Sequence, residues 1–167
     1  MHASLTYQEQ KAWATEDAGR EEMSQSVLYE TDFVCWSETT AQYLRDKNYD
    51  RVDWESLIEE IEDMSRRERK ALKSNLIVVL LHLLKWQYQS EMRSGSWRGS
   101  IREHRRRLND DLQDSPSLVS YIQEVLDMCY GNAREQAADE TSLPIEIFPL
   151  NCSFTIAQIL SPDFLPD

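Results

Sequence analysis

Two groups of side chains in this sequence have the types and spacing to do chemistry. The first centres on His82, the one polar residue in the nine-residue run Leu76–Leu84. A helical bundle can hold a metal through inward carboxylates and a Glu-x-x-His pair. The available suppliers here are Glu59, Glu62 and His104. The chain has no Glu-x-x-His, and Glu59 and Glu62 fall opposite the apolar stripe of their own segment. His82, His104, Glu59 and Glu62 are therefore read as a polar core, with His82 neutral and locally hydrogen-bonded. No metal, cofactor or catalytic residue is expected. An enzyme that depends on a metal or anion at His82 is the weakest of three functional readings.

The second group is Arg102-Glu-His-Arg-Arg-Arg107, preceded by Arg98. Guanidinium groups bind phosphate in bidentate fashion, and a helix bearing several could follow a nucleic-acid backbone. Arg98, Arg102, Arg105 and Arg106 are the candidate anion or partner contacts. The competing role is internal neutralisation by Glu55, Glu59 and Glu62 or by Asp110, Asp111 and Asp114, and it is the favoured one.

Charge distribution bears on that choice. Residues 1–65 have a net charge of −11, residues 66–107 of +9 and residues 108–167 of −10, within a total of −12. Neighbouring helices that neutralise one another would give this pattern, and so would a basic face presented to an anionic partner. Net acidity disfavours nucleic acid and anionic membranes. Cys35, Cys129 and Cys152 show no metal or redox spacing, which suggests reduced thiols in a cytoplasmic protein. There is no Gly-rich phosphate loop, nucleophile elbow or H-E-x-x-H, and no signal peptide or membrane span is evident.

The elements that must position these groups are helical. Four Gly and five Pro in 167 residues argue against an all-β architecture. A run apolar on every side, as Leu76–Leu84 is, belongs to a helix buried on every side, here spanning about 66–90. Before it, Thr31 or Asp32 caps a helix with Phe33, Trp36, Thr40, Tyr43 and Leu44 inward. Asp53 caps the next, with Leu57, Ile58, Ile61 and Met64 as its buried face and Glu55, Glu59 and Glu62 outward. Ser65-Arg-Arg-Glu68 matches a capping box, so a break is expected near Asp63–Ser65. One continuous helix of about 35 residues is the alternative, unusual in a compact domain.

Downstream, Ser94-Gly95-Ser96 is a turn, followed by the stripe Trp97, Ile101, His104, Leu108 and Leu112. Ser115-Pro116 starts a further helix through Leu118, Val125, Ala133 and Ala137. Prolines at both ends of Leu143–Pro149 imply an extended strap. Thr155 caps a last short helix, and Phe164 tucks against the core.

The strings Tyr29-Glu-Thr-Asp-Phe33-x-x-Trp36, Val52-Asp-Trp-Glu-Ser-Leu-Ile-Glu-Glu-Ile-Glu62, His82-Leu-Leu-Lys-Trp-Gln-Tyr88, Ser96-Trp-Arg98 and Ile101-Arg-Glu-His-Arg-Arg-Arg107 occur in order. With Leu143-Pro, Phe148-Pro149, Cys152 and Phe164-Leu-Pro, they resemble the domain-of-unknown-function twenty-nine family, small proteins abundant in cyanobacteria. The resemblance covers about 28–167 and implies an all-helical bundle, with no assigned activity. Glycine is frequent in that family at the position of Ser65, which fits a bend. Glutamine is frequent at the position of His104, which weakens a metal site there.

The expectation is an all-α protein: a single compact bundle of five or six helices over 28–167 around the central helix, with an extended C-terminal tail. Residues 1–27 form an arm or extra helix. The favoured function is a non-catalytic interaction or regulatory protein with a protein partner or a second copy. A nucleic-acid-associated protein using helix 97–112 is the alternative.

Overall fold

The structure is a computed structural model that describes residues 24–167, so the expected arm falls, up to residue 23, outside the described residues. As expected, the described chain is helical and without strands, with six α-helices: α1 (Gln25–Thr31), α2 (Phe33–Arg45), α3 (Trp54–Tyr88), α4 (Gly95–Asp114), α5 (Leu118–Thr141) and α6 (Ile156–Leu160). It divides into two compact units, one ending at Asp63 and the other starting at Met64.

In the first unit, the side chain of Ser24 caps α1 and that of Asp32 caps α2, accepting from the Val27 and Cys35 N–H groups. Each cap satisfies a backbone donor that the first helical turn leaves without a partner. Leu28 and Trp36 are buried, and the Tyr29 ring meets Trp36 edge-on with centroids 4.9 Å apart. Phe33, expected inward, is half exposed. Asp53 accepts from both the N–H and the hydroxyl of Ser56, which fixes the start of α3.

Two expectations about α3 are overturned. The helix runs unbroken for 35 residues, through the proposed break at Asp63–Ser65. Its middle, Met64 to Leu72, is rich in strong helix formers. The sequence also sets Glu62 four residues before Arg66 and Asp63 four before Arg67, an order that favours helix. Local capping chemistry at Ser65 loses to propagation. The second correction concerns the face. Ile58 (53% exposed), Ile61 (56%) and Met64 all lie open to solvent, and so does Trp54. The side that packs carries Ser56, which is buried, and Glu60, whose Oε1 accepts from the Tyr29 hydroxyl at 2.9 Å.

In the second unit, α3 supplies Leu72, Leu76, Val79, Leu80, Leu83 and Leu84, all fully buried. With Leu81 and Trp86, also buried, they span an arc of about 220° at 100° per residue, which agrees with a central helix wrapped by others. Ile101 and Leu108 of α4 close one side. From α5 come Leu118, Ile122, Val125, Cys129, Ala133 and Ala137, with Tyr130 also in this core. The strap after α5 is not simply extended: Ile145–Ile147 forms a 3-10 turn behind Pro144. Arg134 holds that turn by donating to the carbonyls of Ile145 and Phe148, and Phe148 is buried. Thr155 and Gln158 form a capping box that starts α6.

Candidate functional site

The side chain of Ser94 caps α4, accepting from the Trp97 N–H, and the helix then carries five arginines between Arg98 and Arg107. These arginines have three different fates. Arg106 pairs with Asp110 at 2.6 Å and with Glu103 at 3.0 Å, and Arg107 pairs with Glu103 at 2.9 Å. All of these groups are exposed neighbours on one helix. Together the two guanidinium groups hold the Glu103 carboxyl down at about 2. Neutralisation is thus local, with Glu103 added to the expected Asp110.

Arg105, expected among the surface contacts, is turned inward and is 1% exposed. Leu108 and Ile101 share its side of α4, and this register carries the guanidinium into the core. There it donates to three backbone carbonyls: Nε to Ile159 at 2.7 Å, Nη1 to Phe164 at 2.7 Å and Nη2 to Gln158 at 3.1 Å. The last carbonyls of a short helix lack partners, and a cation at that end also meets the negative pole of the helix dipole. No carboxylate pairs with Arg105 among the described residues, and burial pulls its pKa down to about 10.

Arg98 and Arg102 are the third case. They lie one turn apart, both exposed, and neither pairs with a carboxylate among the described residues. Arg98 and Arg93 each set a guanidinium 5.3 Å from the centre of the Trp86 ring. A cleft of about 280 Å³ opens beside α4, lined by Arg98, Ile101, Arg102 and Arg105 and, from the tail, by Pro162 and Asp163.

The polar core is only partly assembled. His82 is half-buried, and its Nδ1–H donates to the Val78 carbonyl at 2.9 Å. Burial, more than the nearby Lys85, lowers its pKa and favours the neutral ring. His104 donates from Nδ1 to Asn75 Oδ1 at 2.8 Å, and its pKa is also lowered, first by burial and then by Arg107 and His82. The Asp111 carboxyl is raised chiefly by burial and then by the nearby Glu68. Sequence reasoning missed Asn75; its signal was an amide inside an apolar stripe, three residues after Leu72 and four before Val79. Glu59 and Glu62 are exposed on the first turns of α3. Among the described residues no three His, Cys, Asp or Glu side chains converge as metal ligands would. The three cysteines are free thiols. No described helix is long and apolar enough to cross a membrane.

An all-helical chain with an arginine-lined cleft and an exposed apolar helix face is the class of protein this architecture defines. The family described as Domain of unknown function DUF29 matches residues 28–165, and the chain belongs to that family. No curated protein and no solved structure matches the chain.

Proposed function

We propose that the protein is a non-catalytic interaction protein that associates with a second copy of itself through the exposed face of α3. One observation carries this reading. The first turns of α3 pack through Ser56 and Glu60 and leave Trp54, Ile58 and Ile61 in solvent. These three residues sit at i, i+4 and i+7, so they form one stripe. Apolar surface of this kind, rimmed by charge, marks an interaction site.

The charge pattern selects the occupant. Beside the stripe lie Glu55 and Glu59, and further along the same helix come Arg69, Lys70 and Lys73. A second α3 laid antiparallel brings basic residues to acidic ones in both directions, as a two-fold interface requires. A parallel arrangement would oppose like charges. The reading includes 28–167 acting as one domain, supported by a family match over 28–165, and a reducing cytoplasmic setting, supported by the free thiols.

Sedimentation velocity tests the proposal directly. The wild-type chain should sediment as a dimer at micromolar concentration, and Ile58→Glu with Ile61→Glu should sediment as a folded monomer. A wild-type monomer across the accessible range refutes it. The nucleic-acid reading gains less support, because Arg105 to Arg107 are committed within the protein.

A further inference from the structure

We propose that the cleft between α4 and the tail is a binding site for a phosphoryl oxyanion, held by Arg98 and Arg102 over the buried Arg105. The inference is independent of the α3 face. Three guanidinium groups border one cleft of about 280 Å³, and the carboxylate lining it is Asp163. The local charge is therefore +2, which matches the −1.5 to −2 of a phosphate monoester near pH 7.

The arginine at the base of the cleft makes this more than a surface cluster. Arg105 is buried, and its three bonds go to neutral carbonyls. A buried charge without a counter-ion is costly, and an anion in the cleft would supply one. Each Nη atom of Arg105 spends one hydrogen on the tail, so its second hydrogen is uncommitted among the described residues. Arg98 and Arg102 add two planar forks from one side, spaced by a single helical turn.

The geometry also selects the ligand. Three forks around a compact site suit a tetrahedral group with three or four oxygens better than a planar carboxylate with two. A nucleic-acid strand fits poorly, because Arg106 and Arg107 are already paired and Glu103 and Asp110 would face its backbone. Ile101, Pro162 and Leu165 give the cleft an apolar wall, so a small phosphorylated metabolite is the ligand class.

Calorimetric titration of the full chain with inorganic phosphate, and separately with pyrophosphate, at constant ionic strength tests the site. Saturable binding with one equivalent is expected. It should weaken about tenfold or more in the Arg98→Ala, Arg102→Ala double variant, since two charge-assisted forks are lost. Both residues are exposed, so the variant should stay folded, with Arg98 giving up only its contact over the Trp86 ring. Binding should also weaken below about pH 6, where phosphate loses its second charge. Three results overturn the proposal: no saturable phosphate binding, unchanged binding in the double variant, or tighter binding of single-stranded DNA with steep salt dependence.

Discussion

Replacing Arg105 with alanine tests how α4 holds the C-terminal tail. The side chain donates to Gln158, Ile159 and Phe164 at 3.1, 2.7 and 2.7 Å. Hydrogen bonds from a charged donor contribute about 1.5–3 kcal/mol each, so three give at least about 4–5 kcal/mol. Burial works against them. Burial without a counter-ion pulls the guanidinium pKa down to about 10, so desolvation offsets part of that gain. The arginine as placed is therefore worth less than its three bonds alone. Alanine does worse than simply cancelling this balance, because it strands three carbonyls and empties the volume of a long side chain. Arg105→Ala should cost about 2–4 kcal/mol in denaturant melts. The loss should also be local. Amides of Ile156–Leu160 should exchange with solvent faster than those of α5, because α6 has five residues and relies on this clamp. Arg105→Met, which restores bulk without donors, should recover part of the stability but leave exchange in the tail fast. Melting within about 0.5 kcal/mol of wild type, with tail protection intact, would refute the clamp.

Other perturbations separate core, surface and charge. Leu83→Ala should destabilise by about 2–5 kcal/mol in a urea melt, since the residue is fully buried in α3. Arg102→Ala should change stability by no more than about 0.5 kcal/mol, because the side chain is exposed and pairs with no carboxylate among the described residues. Glu140→Gln leaves the buried Lys85 ammonium, 2.6 Å away, without its counter-charge. With Glu140 itself half exposed, thermal melts should show a loss of about 1–2 kcal/mol. The Glu103 carboxyl should titrate at about 2 by NMR. Its depressed value means that its contribution to stability is fully present above the ordinary carboxyl range and is lost as pH falls toward 2. Glu103→Gln should abolish that part of the acid transition.

Much of this fold was legible in the residues themselves. The Leu76–Leu84 run demanded a buried central helix, because no one-sided amphipathic pattern fits it and Lys73 and Lys85 bound it too closely for a membrane. Asp32, Asp53 and Thr155 cap the helices that follow them, since capping depends on a side chain and the nearest few amides, whereas the start expected at Ser115-Pro116 falls at Ser117, whose side chain makes no cap bond. What depended on more distant residues was decided by tertiary structure. Ser65-Arg-Arg-Glu68 is a valid capping box in isolation, and only the continuous helix around it makes it ordinary α3 sequence. Leu57, Ile58, Ile61 and Met64 announced an amphipathic helix correctly, but periodicity cannot say whether the chain itself covers that face. The arginines show the division most plainly. Density alone marked Arg98, Arg102, Arg105 and Arg106 as equivalent, whereas rotation about one helix axis separates them. Arg105 points into the core to hold a tail more than 50 residues away in sequence, Arg106 is spent on its helical neighbours, and Arg98 and Arg102 are left facing the cleft.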